Sequence, residues 1–252
     1  MADILLNIVP FSILRRIQRL YEVLYFVFRI RPLFSGKSGI EIGGPTPLFL
    51  DRLPIYSAVN AMDGCNFGTT TVWEGAIQQG QPYGGGGKVL GTQYIGEASD
   101  LQFAESHHYD FLVASHCLEH CANPIKTLLE WKRVVRKGGI LLLILPDKRF
   151  MFDHRRQTAT LRHLMEDHAQ GVGEDDLTHL TEILERHDLT RDTPAGTLNQ
   201  FRERSLNNLQ NRCLHHHVFD FRLLEALLDH VGIQHLSSKW LSPFHQIVVG
   251  RI

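Results

Sequence analysis

The sequence predicts an α/β fold built on a doubly wound, mostly parallel sheet. Three observations carry that reading. Two short apolar runs, residues 109–114 (YDFLVA) and 140–145 (ILLLIL), are continuous rather than alternating, as strands buried on both faces must be. Between them, residues 124–139 have the spacing of an amphipathic helix: Pro124 opens it, Ile125, Leu128, Leu129 and Val135 line one side, and Gly138-Gly139 ends it. Each strand-like run is followed by a turn containing Gly, Asp or Ser. Strands alternating with helical segments make crossover units, which build parallel sheets.

The remaining elements follow along the chain. Residues 11–30 are helical in pattern, with Arg15, Arg19, Glu22 and Arg29 on one face and Leu14, Ile17, Tyr21, Leu24 and Phe28 on the other. Charges interrupt the apolar run of about 18 residues that a membrane span needs. The helix is expected to cap the domain edge, contact a second copy, or lie at a membrane surface with its arginines toward headgroups. No cleavable signal peptide is apparent. Residues 39–42 read as a buried strand running into a Gly-Gly-Pro turn, and residues 55–62 (IYSAVNAM) as a second strand ending at Asp63. Residues 64–92, rich in Gly, Thr and Gln, read as an irregular connection to a third strand at 93–96. Residues 109–114 and 140–145 are strands four and five. Residues 147–214 are polar, rich in histidine and mostly helical in pattern, which places a helical cap over the carboxyl edge of the sheet. Residues 221–231 form a strong amphipathic helix, and 233–241 with 244–251 a terminal strand pair. The expected organisation is an amphipathic N-terminal segment over 1–37 and a main domain over 38–252, with the cap inserted at about 147–214.

Composition narrows the function classes. A net charge of -1 gives no electrostatic footprint for nucleic acid, so a nucleic-acid partner is not expected. Four cysteines, Cys65, Cys117, Cys121 and Cys213, show no disulfide-framework spacing, which fits a reduced, cytoplasmic chain. Histidine is the unusual component: there are 15, and none precedes His107.

In open α/β sheets a ligand binds beyond the carboxyl ends of the strands, and four turns fall there. Glu41-Ile42-Gly43-Gly44-Pro45 allows close backbone approach but is not the GxGxxG dinucleotide fingerprint. Asp63 is positioned to accept the hydroxyls of a ribose. Glu97-Ala98-Ser99-Asp100-Leu101 offers an acid and a backbone N–H for a purine edge. Ser115-His116-Cys117-Leu118-Glu119-His120 follows strand four.

The series EIGGP, Asp63, GEASDL, YDFLVASHCLEH and NPIKTLLEWKRVVRKGGILLLILP resembles class I S-adenosylmethionine-dependent methyltransferases, in the LEH-containing, type 11-like branch. The resemblance covers residues 38–147 and, more weakly, 215–252. It implies a Rossmann-like, seven-stranded, mostly parallel sheet with S-adenosylmethionine as cofactor. Glu41 would orient the first turn or meet the methionine ammonium, Gly43 and Gly44 would pass beneath the methionine, and Asp63 would bind the ribose. Glu97 and Ala98 would hold the adenine, and Ser115 and His116 would lie beside the sulfonium. The chain departs from the family's E-x-G-x-G-x-G turn by placing Pro45, Thr46 and Pro47 after the glycine pair, which leaves the contact at Pro45 open.

Methyl transfer to a hydroxyl requires alignment of the acceptor and removal of its proton. His116, Glu119 and His120, at i, i+3 and i+4, share one face if the turn is helical, as a base or as metal ligands. The arrangement resembles the E-x-x-E-H motif of metal-assisted methyltransferases acting on vicinal hydroxyls, with His116 in place of the first acid, and His217-Val218-Phe219 resembles a later histidine ligand of those enzymes. That gives His116 and His120 as catalytic candidates, and His116, Glu119, His120 and His217 as candidate ligands of a divalent transition metal. HCLEH also matches the HxxEH of inverted zinc peptidases, but those need the motif inside a helix. Arg149, Arg155 and Arg156 would recognise an anionic acceptor or pair with cap acids. His179, Glu182, His187 and Asp188 are an alternative source of a base or an exposed helical face. The expected activity is O-methylation of a small molecule or glycan; a non-catalytic cofactor-binding protein and an RNA-directed methyltransferase are the alternatives.

Overall fold

A computed structural model describes residues 11–252. Nothing is described of the side chains of Phe11, Ser12, Leu14 and Arg15, so the expectations for Leu14 and Arg15 lie outside the described residues. Helix α1 (Phe11–Tyr25) runs through a π-helical turn, Phe26–Ile30, into α2 (Arg31–Phe34). Strand β1 (Ser38–Ile42), helix α3 (Leu48–Asp51) and strand β2 (Ala61–Asn66) follow. A small hairpin, β3 (Thr70–Thr71) and β4 (Gly75–Ala76), precedes β5 (Pro82–Gly85), β6 (Lys88–Ile95) and β7 (Tyr109–Ser115). Helix α4 (Pro124–Val134) leads into β8 (Val135–Pro146). The cap contains α5 (Leu161–Gln170), α6 (Leu180–Arg186), α7 (Leu198–Leu206) and α8 (Asn208–Asn211). Helix α9 (Phe221–His230) and the hairpin β9 (Gln234–Leu241) and β10 (His245–Arg251) end the chain.

The sheet order is β5-β6-β2-β1-β7-β8-β10-β9. Strands β6, β2, β1, β7 and β8 are parallel; β5 and β10 are antiparallel to their neighbours. The chain runs outward from β1 in both directions, so the switch point, where ligands bind in such sheets, lies at the carboxyl ends of β1 and β7. Both faces are covered. Leu112 and Ala114 of β7 point into one core with α4 and α9, while Phe111 and Val113 point into the other with Phe26, Ile30 and Phe34. This two-sided burial is what the continuous apolar runs encode.

The Rossmann-like sheet has eight strands where seven were expected. The extra strand, β5, arises from the glycine-rich connection, and its cause is one side chain. The Tyr83 ring lies across the sheet over Gly64, where any Cβ would overlap it. Asp63-Gly64 looks like a turn signal, but the glycine is there to admit that ring. The second strand is also displaced: residues 55–57 form a 3₁₀ turn with Ile55 and Tyr56 buried, and β2 begins at Ala61. Asp63 is therefore inside the strand, not at its end. The helix before strand five stops at Val134, and Gly138-Gly139 sits within β8 instead of ending it.

Helix α1 does not pack its apolar stripe on the domain edge as a cap would; the stripe faces outward. Ile17, Tyr21, Leu24 and Phe28 are exposed, Phe28 by 71%. Glu22, Phe26 and Ile30 are buried against the domain, with Glu22 paired to Arg52. The π turn shifts the face of the helix after Tyr25, so that Phe26, Ile30 and Phe34 reach the core while the upstream apolar stripe does not.

Candidate active site

A cavity of about 1860 Å³ opens at the switch point. Its floor comes from strand ends: Ile42 and Gly43 after β1, Asn66 after β2, Glu97 and Ala98 after β6, and Ser115 and His116 after β7. Cap residues, including Arg212 and His215, form one wall, and Gln18, Arg19 and Glu22 of α1 stand at another.

The first turn rests on a buried carboxylate. Glu41 has no solvent exposure and accepts hydrogen bonds from Tyr56 Oη (2.7 Å), Tyr83 Oη (2.7 Å) and the Thr46 backbone N–H (3.0 Å). Burial outweighs these three donors and pushes its carboxyl up to about 7. With its acceptors already used, Glu41 orients the turn and does not line the cavity. Gly43 has a φ of +76° and is open to the cavity. Gly44 is packed over Glu41 and Tyr83, where a Cβ would collide with both. Pro45 lines the cavity beside them. Tyr56 and Tyr83, the residues that complete this support, were not found by sequence reasoning, because they come from an apolar run and a glycine-rich connection without a local pattern.

Asp63 does not reach the cavity. Its two oxygens accept from the Thr92 N–H (2.8 Å) and Tyr109 Oη (3.0 Å), which tie β2 to β6 and β7. The residue at the end of β2 is Asn66, whose Nδ2 donates to the Gly44 carbonyl at 2.7 Å and so holds the glycine turn. Glu97 and Ala98 do line the cavity. The Glu97 carboxylate is paired with Arg212, and the Ala98 carbonyl accepts from Trp131 Nε1 at 2.8 Å.

The fourth turn differs. Ser115 is buried, and its Oγ has no hydrogen-bond partner among the described residues. His116 has a φ of +52°, a left-handed backbone that a branched or bulky residue enters at a cost and that clusters at functional sites. Its Nε2 lies 2.9 Å from His245 Nδ1, and its Nδ1 lies 3.6 Å from a Glu119 carboxylate oxygen. Burial, reinforced by His245 and His215, lowers its imidazole to about 3, so it is neutral. Glu119 is buried, and neither of its oxygens finds a hydrogen-bond donor among the described residues; burial pushes its carboxyl up to about 7. His120 lines the cavity with its Nδ1 donating to the Leu214 carbonyl at 3.0 Å, and burial keeps it neutral.

Glu119 and His120 stand on a 3₁₀ turn, Leu118–His120, rather than an α-helix; His116 precedes that turn, approaches only Glu119 of the two, and does not join the converging ligand atoms. His217 does not join them: its Nε2 bonds Asp167 Oδ2 in the cap at 3.0 Å. The histidine that does approach is His215, whose ligand nitrogen lies within 4.8 Å of a His120 nitrogen and a Glu119 carboxylate oxygen. None of Arg149, Arg155 and Arg156 lines the cavity. Arg149 pairs with Asp147 and Arg155 with Asp188, while the buried Arg156 donates to the His215 and His216 carbonyls. Of the alternative bases, His187 pairs with Asp192, Asp188 with His154, Glu182 with Arg156, and His179 faces His163.

Against known proteins, a family profile described as a methyltransferase domain matches residues 14–193, more than half of the chain. No curated protein sequence matches it. Among solved structures, an S-adenosylmethionine-dependent methyltransferase from Mesorhizobium loti aligns with a TM-score of 0.51 at 13% identity, covering 88% of this chain and 93% of that one. A chain of the complex between the Haloferax volcanii Trm112 methyltransferase activator and a methyltransferase aligns with a TM-score of 0.50 at 11% identity, covering 92% and 89%.

Proposed function

The chain belongs to the class I S-adenosylmethionine-dependent methyltransferases, and from that premise we propose that it methylates a hydroxyl of a small molecule or glycan, with His116 as the proton acceptor. The observation that carries the reading is the placement of His116: held in a left-handed backbone next to the cavity floor and open to the cavity. S-adenosylmethionine supplies the methyl group on a sulfonium. The glycine turn, Asn66, Glu97, Ala98 and Ser115 line the cavity where the cofactor would lie, and the unpartnered Ser115 Oγ is a buried hydroxyl ready for a ligand. Asn66 takes the ribose-facing place that the sequence reading gave to Asp63. A hydroxyl that displaces His245 from His116 Nε2, 2.9 Å away, would pass its proton to the imidazole as the methyl is transferred in line. Glu119, at ion-pair distance from Nδ1, would then stabilise the imidazolium.

A second reading rests on Glu119, His120 and His215, whose ligand atoms converge while both Glu119 oxygens are without donors. A divalent cation there would orient a vicinal diol or polarise the acceptor oxygen. Exposed apolar residues on α1 support a contact with a second copy or a membrane surface; no helix among the described residues is long and apolar enough to cross a membrane.

Calorimetry with S-adenosylmethionine and release of S-adenosylhomocysteine over a panel of hydroxylated acceptors test the activity. His116→Asn should bind the cofactor as the parent does and turn over about 100-fold or more slowly. Unchanged turnover would remove His116 as base, and binding without turnover by any acceptor would favour the non-catalytic alternative. Activity lost on chelation and restored by metal, with Glu119→Gln inactive in both states, would favour the metal-assisted reading.

A further inference from the structure

We propose that the cap holds a structural zinc ion on His163, Asp167, His179 and His217, a site separate from the candidate active site. The four residues come from three separate segments. His163 and Asp167 are one turn apart on α5, His179 is the N-cap of α6, and His217 belongs to the strap that leads into α9. Each presents one ligand atom, and the four atoms all lie within 4.8 Å of one another. His163 Nε2 is 3.0 Å from His179 Nε2 and 3.3 Å from Asp167 Oδ2, which is 3.0 Å from His217 Nε2. Four nitrogen and oxygen ligands at tetrahedral zinc distances are separated by about 3.3 Å, and three of the edges here, at 3.0, 3.3 and 3.0 Å, are close to that spacing.

Without a cation the same atoms pair by hydrogen bonds, one imidazole N–H donating to the other ring and the Asp167 oxygen accepting from His217. A zinc ion would meet all four lone pairs at once. Three imidazoles and one carboxylate suit zinc better than magnesium or calcium, which take oxygen ligands. Four protein ligands also leave no open position, the pattern of a structural rather than a catalytic site. None of the four lines the large cavity. Arg156, the cation bordering the group, is directed to the His215 and His216 carbonyls and to Glu182. The His163 side chain is 34% exposed, which gives the ion a way in, while His217 is 2% exposed and anchors the interior side.

The site would clamp the strap from outside. That strap brings the Leu214 carbonyl to His120 and the His216 N–H to the Glu119 carbonyl (2.9 Å), so its position sets the wall of the active site. Zinc here would fix that wall without entering the reaction.

The test uses untagged full-length protein purified without chelator. Elemental analysis should give about one zinc per chain. After removal of metal, added Zn²⁺ should bind stoichiometrically and raise the melting temperature. His163→Gln with His179→Gln should lower zinc content at least about tenfold and abolish the melting shift; the partly exposed His163→Gln alone should weaken binding by about tenfold if the double variant does not fold. His120→Gln should keep its zinc. Metal-free protein that takes up no Zn²⁺ and shows no melting shift would overturn the proposal, as would zinc content that survives the double variant or is lost in His120→Gln instead.

Discussion

Two buried carboxylates flank the cavity, and they are opposites. Glu41 and Glu119 are both removed from water, and burial raises both to about 7. Glu41 is surrounded by three donors, two of them tyrosines recruited from other elements. Glu119 has none among the described residues. A buried polar atom without a partner is costly, and such groups persist where a ligand, a proton or a metal completes them. The comparison separates a support that is finished in the folded chain from a site that waits for something else.

The largest expected effect breaks the finished side. Glu41→Ala strands two buried tyrosine hydroxyls and should destabilise the protein by about 4 kcal/mol in urea denaturation. Glu119→Gln strands nothing and should change stability by less than about 1 kcal/mol, while turnover falls about 100-fold. Equal stability losses in the two variants would erase the distinction.

Next comes the pH dependence. Glu41 holds its proton more tightly in the folded protein than in the unfolded chain, with the folded value near 7 against an ordinary 4.5. Stability relative to Glu41→Gln should therefore decline as pH rises between those values, by about 3 kcal/mol in all, and stay low above them. A gap between the two proteins that is the same at pH 5 and pH 8 would show that Glu41 ionises freely.

A smaller effect concerns the second strand. Asn66→Ala should weaken S-adenosylmethionine binding by about tenfold, since one bond to the glycine turn is lost. Asp63→Ala should leave that affinity in place and lower the melting temperature instead. The reverse result by calorimetry would restore Asp63 to the cofactor. The smallest change is Tyr83→Phe, expected to cost about 1 kcal/mol because Glu41 keeps two of its three donors.

How much of this was legible depended on the range of the interaction. The strands expected at 109–114 and 140–145 and the helix expected at 221–231 are present because apolar periodicity is local and each buries its own pattern, although the second strand begins earlier, at Val135. Three of the four expected turns, after β1, β6 and β7, also line the cavity, while the one at Asp63 does not. What stayed hidden was set by contacts between distant residues. Tyr83 reaches Glu41 across 42 positions, so the glycine-rich run looked like loop and Asp63-Gly64 like a turn. His217 has the sequence context of a ligand for the turn at 116–120, yet its partner is Asp167, 50 positions away. His215, two positions earlier, is the one whose ligand nitrogen converges with Glu119 and His120. Helix α1 has a regular apolar stripe, but it is Glu22, paired with Arg52, and the residues of the π turn that face in.

The orientation of α1 also bears on traffic. Its polar side, with Gln18, Arg19 and Glu22, borders the cavity, while Ile17, Tyr21, Leu24 and Phe28 look outward. Whatever surface covers those four residues is brought to within one helix width, about 10 Å, of the opening. An acceptor tethered to that surface would have its route shortened to the girth of a single helix, and the same helix would act as both mooring and doorpost.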